Sequence, residues 1–156
     1  MKLKKLAIAA VLLSSISLVG CTATASVSPN PSASASAMPG QMSFSGTLTG
    51  TEEVPAVNTA ASGTVSLTLN ESIKTGMLTM NFQGLSSAQT GAHIHGPAAV
   101  GTNAEVLIEL PTGQLNNHTV TFTDTQMGYL KAGQLYVNVH TTNNPNGEIR
   151  AQLIAR

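Results

Sequence analysis

Hydrophobic and polar residues alternate in short runs along the chain from residue 42 onward. The alternation is clearest in T-V-S-L-T-L at residues 64–69 and in M-L-T-M-N-F at residues 77–82. A period of two places every second side chain on the same face, which is typical of a half-buried β-strand. The pattern predicts eight short strands, at residues 44–48, 64–69, 77–82, 91–95, 104–110, 119–123, 134–140 and 148–154.

Glycine, asparagine and proline separate these runs, and the connections between them are short. The last two runs form the clearest hairpin, because Asn146-Gly147 between them tolerates the positive φ angles of a tight turn. No window predicts a long amphipathic helix, and residues 128–132 have room for one helical turn at most. We therefore expect an all-β fold, a single antiparallel β-sandwich or barrel-like domain over residues 42–156.

The first twenty residues predict a signal peptide. A basic start, M-K-L-K-K, precedes an apolar stretch of about fourteen residues, which is shorter than the roughly twenty that a membrane-spanning helix needs. The stretch ends in L-V-G-C, which resembles the lipobox of bacterial lipoproteins. The resemblance implies that Cys21 receives a diacylglycerol group and becomes the new N-terminus.

Residues 21–41 are expected to form a disordered linker behind the lipidated Cys21. Serine, alanine, threonine and proline dominate it, and it carries no charge. Such a segment buries too little apolar surface to offset its conformational entropy. The expected location is the cell envelope, with the membrane as a partner through the lipid anchor and the domain facing the periplasm or exterior. Thr22 stands where an aspartate would signal inner-membrane retention, which favours the outer membrane if the cell has one.

Charge and cysteine content exclude several classes of partner and site. From residue 42 onward the chain has four basic and seven acidic side chains, a formal charge of −3. The basic patch that a phosphate backbone requires is missing from the sequence, so nucleic acid is not an expected partner. A single cysteine permits neither an intramolecular disulfide nor a cysteine-based zinc site.

Three of the four histidines fit a metal site. His93 and His95 are two residues apart in a predicted strand and therefore share a face. His140 ends another predicted strand and can supply a third imidazole. Three imidazoles suit copper or zinc and leave a coordination position open. A structural hydrogen-bond network among the same rings is the alternative, and His118 is interpreted as a solvated loop residue.

Polar neighbours are expected around these three histidines. In the strand of His140, alternation puts Tyr136 and Asn138 on the same face as that ring. In the following strand, Glu148 and Arg150 share one face. These four residues are the predicted supporting groups of the site.

Three motifs resemble the CHRD domain family, named after repeats in chordin. Gly46 with Glu53-Val54-Pro55 is similar to its opening motif, and A-H-I-H-G-P at residues 92–97 to its central one. L-Y-V-N-V-H-T at residues 135–141 and N-P-N-G-E-I-R at residues 144–150 are similar to its closing motif. Ala56 and Ala151 depart from the family pattern at a proline and a glycine. The resemblance implies a fold and an extracytoplasmic location, and it does not imply a reaction.

Three functions remain open from the sequence. The first is a non-catalytic binding module for copper or zinc. The second is a copper-dependent redox enzyme similar to superoxide dismutase, although Arg150 is the chief basic residue available for steering an anion. The third is a purely structural or adhesive surface domain. No G-x-S-x-G motif or phosphate-binding glycine loop is present.

Overall fold

The computed structural model describes residues 40–156, and the predicted signal peptide, Cys21 and nearly all of the linker lie outside them. Nine strands occur in the described residues. They are β1 (Gln41–Thr49), β2 (Ser62–Asn70), β3 (Thr75–Gln83), β4 (Gln89–His95), β5 (Val106–Leu110), β6 (Leu115–Thr121), β7 (Tyr136–Thr141), β8 (Ile149–Gln152) and β9 (Ile154–Ala155).

The strands form one antiparallel sheet that curls into a half-barrel. Their order across the sheet is β5-β4-β7-β8-β1-β2-β3-β6, with β9 paired to β1 beside β8. The all-β, barrel-like prediction is therefore confirmed. The single run predicted at residues 148–154 divides into β8 and β9, and residue 153 between them donates its backbone N–H to the carbonyl of Leu135.

The core fills the concave side of the sheet, and strand alternation supplies its side chains. Val65, Leu67 and Leu69 are buried in β2, while the residues between them are wholly or partly exposed. In β7 and β8, by contrast, every residue is buried, so both faces of these two strands are covered. Aliphatic side chains dominate the core, among them Leu48, Leu78, Met80, Ile94, Leu130, Val137, Val139 and Ile149.

One α-helix, α1 (Asp124–Lys131), occurs in the described part of the chain. It is longer than the single turn predicted at residues 128–132, so that prediction was wrong. The missed signal is a capping box: the hydroxyl of Thr123 accepts from the backbone N–H of Gln126, whose side chain accepts from the backbone N–H of Thr123. No helix within residues 40–156 has the length and hydropathy of a membrane span.

His118 lies in β6 and not in a loop, which corrects the interpretation of that residue. It is paired with Leu78 of β3, at the opposite edge of the sheet from β4. It therefore has no part in the cluster formed by the other three histidines.

Truncation of Leu78 tests the alternation in β3. Leu78 is fully buried, whereas its neighbour Met77 is 42% exposed. We expect Leu78→Ala to lower the free energy of unfolding by about 2–5 kcal/mol, because it removes packed methyl groups and leaves a cavity. Met77→Ala is the matched control and should cost less than about 1 kcal/mol. Chemical denaturation measures both, and equal losses would contradict the assignment of faces.

Candidate metal centre

The pairing of β4 with β7 brings the three histidines together. Across this antiparallel pair His95 lies opposite Tyr136, His93 opposite Asn138, and Gly91 opposite His140. All these positions share one face of the sheet. Because Gly91 has no side chain, nothing on the neighbouring strand separates the rings of His93 and His140, which meet diagonally with centroids 4.5 Å apart.

The three imidazoles each offer one nitrogen to a common point. These three nitrogen atoms all lie within 4.8 Å of one another. The closest pair is Nδ1 of His93 and Nε2 of His140, at 2.9 Å. The ring of His95 is 5.5 Å from that of His93 and 6.1 Å from that of His140, centroid to centroid. This geometry allows the cluster to hold a metal ion.

Each ring also contacts an oxygen atom outside the cluster through its second nitrogen. Nε2 of His93 is 2.7 Å from a carboxylate oxygen of Glu109. Nδ1 of His95 is 3.0 Å from the carbonyl of Ala104, and Nδ1 of His140 is 2.9 Å from the carbonyl of Pro145. Oxygen acceptors of this kind hold the proton of a metal-binding imidazole on the outer nitrogen and leave a lone pair on the inner one.

That arrangement places two lone pairs opposite each other. With its proton directed at Glu109, His93 has a lone pair on Nδ1, and His140 has one on Nε2 because its proton is directed at Pro145. Two lone pairs 2.9 Å apart repel unless a proton or a cation lies between them. A proton or a metal cation between Nδ1 of His93 and Nε2 of His140 would remove this repulsion.

Burial favours the neutral form of two of these rings. It lowers the pKa of His95 and of His140, and the nearby His93 lowers both further, while backbone acceptors oppose the change. The neutral imidazole is the form that binds metals.

Tyr136 and Asn138 support His95, as the sequence predicted for this face. The ring of Tyr136 stacks on His95 with the centroids 4.8 Å apart and the planes 2° from parallel. The side-chain amide of Asn138 lies 2.9 Å from Nε2 of His95. A neutral imidazole has a single N–H, so His95 cannot donate to both Ala104 and Asn138. With the proton directed at Ala104, a 180° rotation of the amide would let the NH2 group of Asn138 donate to Nε2, and a metal ion bound at Nε2 would have to displace that hydrogen bond.

Arg150 lies behind Tyr136 and does not reach the histidines. Its guanidinium carbon is 3.4 Å from the centre of the Tyr136 ring, a close cation–π contact. The same group donates to the carbonyl of Thr102 and to the side-chain oxygen of Asn103. Arg150 is 1% exposed, so it fixes Tyr136 and the β4–β5 loop and makes no direct contact with solutes.

Glu148, which we expected near the histidines, uses its carboxylate elsewhere. It accepts hydrogen bonds from the hydroxyls of Thr59, Ser86 and Thr141 and from the backbone N–H of Ser86. None of its hydrogen bonds within the described residues goes to a histidine. Burial alone would raise the pKa of Glu148, but these donors outweigh burial and lower it to about 2.

The carboxylate that does contact the cluster is Glu109, which the sequence analysis did not identify. It lies opposite His93 in the β4–β5 pair. Its signal in the sequence is a lone charged residue within the apolar strand V-L-I-E-L. The carbonyls of Ala104 and Pro145 were also missed, because backbone acceptors leave no trace in the sequence.

A cavity of about 380 Å³ opens beside His95 and His140. Its lining also includes Val54, Pro55, Tyr136, Asn138, Pro145 and Asn146. A small ligand in this cavity can therefore approach the open side of the cluster.

Comparison with protein families agrees with the three motifs. The model of the CHRD domain matches residues 44–153, which is more than half of the chain. The chain belongs to the CHRD domain family. Neither a search of curated proteins nor a search of solved structures gave a match.

In this CHRD domain the opening, central and closing motifs meet at one end of the sheet. Val54-Pro55 comes from the opening motif, His93 and His95 from the central one, and the loop of Pro145 from the closing one. The histidine cluster and its cavity thus lie where the three motifs converge.

Loss of the Glu148 carboxylate should weaken the fold, most clearly at neutral pH. Glu148→Gln replaces one of the two acceptor oxygens by an NH2 group that faces two donors and removes the negative charge, so we expect the free energy of unfolding at pH 7 to fall by about 2–4 kcal/mol. Because the folded pKa lies below the ordinary value of 4.5, the stabilisation is present above pH 4.5 and is lost as the pH falls towards about 2.

Urea denaturation at several pH values measures this dependence. The variant should lose less stability than the wild type between pH 4.5 and pH 2. Glu105→Gln, at an exposed carboxylate, is the control and should keep the wild-type profile. Identical acid profiles of wild type and Glu148→Gln would contradict the role given to this carboxylate.

Proposed function

We propose that this CHRD domain is a non-catalytic module that binds copper or zinc through His93, His95 and His140. The observation that supports this most directly is the shared orientation of the rings. Each has an oxygen acceptor on one nitrogen, and the three rings together offer ligand nitrogens that lie within 4.8 Å of one another. Nδ1 of His93 and Nε2 of His140, 2.9 Å apart, can share a proton, and a metal ion would take the place of that proton.

The donor set selects the class of metal. Imidazole nitrogen suits copper and zinc, whereas calcium and magnesium prefer oxygen. Nitrogens bound tetrahedrally at about 2.0–2.1 Å from zinc lie about 3.3 Å apart. The separations in the cluster reach 4.8 Å, so the rings would have to move closer together around a bound ion.

A copper-dependent redox enzyme is the second candidate, and the cavity beside His95 and His140 favours it because a small substrate has access there. Against it, the basic residue available for steering superoxide, Arg150, is buried and engaged with Tyr136. A superoxide dismutation assay on the copper-loaded protein distinguishes this candidate from a binding module.

We further propose that the protein is a lipoprotein anchored through Cys21 and that the domain faces the periplasm or the cell exterior. The proposal rests on the basic start, the apolar stretch and L-V-G-C at residues 18–21. Several acyl chains on one residue give stable membrane attachment, and the linker would hold the domain away from the lipid.

Metal-dependent stabilisation tests the histidine site. Copper or zinc at about 100 times its Kd should raise the melting temperature of the domain by about 10 °C, because the ion binds only the folded state. The double variant His93→Ala/His95→Ala should lose this rise. Differential scanning calorimetry measures the shift, and elemental analysis of the purified protein gives the metal content.

His118→Ala is the matched control, since it removes an imidazole far from the cluster and should keep the full response. His140→Ala should reduce the response by removing one of three ligands. An unchanged response in the double variant would show that the metal binds elsewhere. In that case the cluster would have only a structural role.

Substitution of the lipidation residue tests the anchor. In a bacterial host the wild type should sediment with membranes and dissolve in detergent, whereas Cys21→Ser should lose the acyl mass from its N-terminal peptide. Ser14→Ala, a substitution of similar size in the same leader, should leave attachment unchanged. Mass spectrometry of the N-terminal peptide measures the acyl mass. An unmodified Cys21 in membrane-bound wild type would refute the proposal.

A further inference from the structure

A second polar cavity shares Val54, Pro55, Pro145 and Asn146 with the cavity beside the histidines, and the buried carboxyl group of Glu53 is part of its lining. Glu53 follows the 3-10 turn Gly50–Glu52 that ends β1, and it is 6% exposed. The cavity measures about 230 Å³. We call it the Glu53 cavity, lined by Glu53, Val54, Pro55, Val57 and the loop of residues 143–147.

The carboxyl group of Glu53 has no partner among the described residues. Its Oε1 atom is buried and makes no hydrogen bond, and no ion pair within residues 40–156 includes it. Burial raises the pKa of Glu53 to about 7, although the positive charge of Arg150 opposes the change. A buried carboxylate without donors is costly, so this group lacks a partner that would offset its desolvation.

The loop opposite is shaped to admit this carboxyl group. A Cβ atom at Gly147 would overlap both carboxylate oxygens of Glu53, and the φ of Gly147 is +123°. Glycine therefore provides both the backbone conformation and the space. The close approach of Glu53 to this loop is built into the fold.

Two asparagines of the loop have amide oxygens without a hydrogen bond in the described chain. The NH2 group of Asn143 donates to the carbonyl of Ser86, which can only accept. The hydroxyls of Ser86 and Thr141 both donate to Glu148, so towards Asn144 they can only accept, and its NH2 group donates to them. The orientation of both amides is thereby fixed, and their oxygens remain available.

We propose that the Glu53 cavity binds a hard divalent cation, calcium in the first instance, through the carboxylate of Glu53 and the amide oxygens of Asn143 and Asn144. Carboxylate and amide oxygens are the donors that calcium takes, in contrast to the nitrogens of the histidine cluster. The site is thus distinct from the proposed copper or zinc site and does not depend on it.

The charge balance predicts a weak site. One carboxylate faces the cavity, and the nearby Arg150 opposes a cation. Calcium sites of extracellular modules bind with a Kd of about 10⁻⁴–10⁻³ M, and this site belongs in that range. The cation and a proton compete for the same carboxylate.

Thermal unfolding of the full chain in detergent, with and without about 10 mM calcium chloride, tests the proposal. The melting temperature should rise by about 5–10 °C, as expected for a ligand at about 10–100 times its Kd. Sodium chloride of equal ionic strength controls for screening. The same rise is expected in His93→Ala/His95→Ala, which separates this site from the histidine cluster.

Glu53→Gln should abolish the rise, because it removes the charged ligand while keeping the shape. Glu52→Gln, a neighbouring exposed carboxylate, is the matched control and should keep the rise. If Glu53→Gln does not fold, an NMR titration of the wild type with calcium is the alternative test, and it follows the chemical shifts of the backbone amides. They should cluster at residues 53–57 and 143–147.

Three outcomes would overturn the proposal. One is a wild type whose melting temperature is unchanged by calcium. Another is a Glu53→Gln variant that responds like the wild type. The third is a set of amide shifts centred on another part of the domain. None of these results bears on copper or zinc binding at His93, His95 and His140.

Discussion

The polar end of this half-barrel depends on one buried carboxylate, that of Glu148. Its four hydrogen bonds join the segment after β1, the β3–β4 loop and the end of β7. Because Ser86 and Thr141 donate to Glu148, they orient the amide of Asn144. The same loop carries the carbonyl of Pro145 that receives the proton of His140. A single acceptor therefore determines the positions of groups at both cavities.

Much of the fold could be predicted from the sequence because alternation is a local property. Val65, Leu67 and Leu69 point inward at every second position, and each of the eight predicted runs overlaps a strand of the sheet. Helix α1 was underestimated because its first turn is polar and only the Thr123–Gln126 capping box signals its start. His118 was assigned to a loop because two asparagines precede it, yet Asn117 adopts a positive φ within β6.

The site could be predicted only in part, because the alternation pattern does not show which strands lie next to each other in the sheet. His93, His95 and His140 were identified as one cluster from period-two spacing and a strand end. Tyr136 and Asn138 followed from the same alternation. The pairing of β4 with β5 was needed to find Glu109, and the tertiary position of the loops was needed to see that Glu148 contacts Thr59, Ser86 and Thr141. Alternation fixes the face of a residue, whereas its partner depends on which strand lies beside it.

The closing motif shows why so few residues determine this end of the domain. Within N-P-N-G-E-I-R, residues 144–150, Pro145 offers a carbonyl to His140 and Gly147 leaves space for Glu53. Glu148 accepts hydrogen bonds from three separate segments of the chain. Arg150 packs against Tyr136, which in turn stacks on His95. The roles of Gly147, Glu148 and Arg150 require those residue types, whereas the carbonyl at position 145 is a main-chain group that any residue could supply. The apolar core has no such requirement, since aliphatic side chains of similar volume can replace one another. The chemical character of the domain is therefore concentrated at the end where its three family motifs meet.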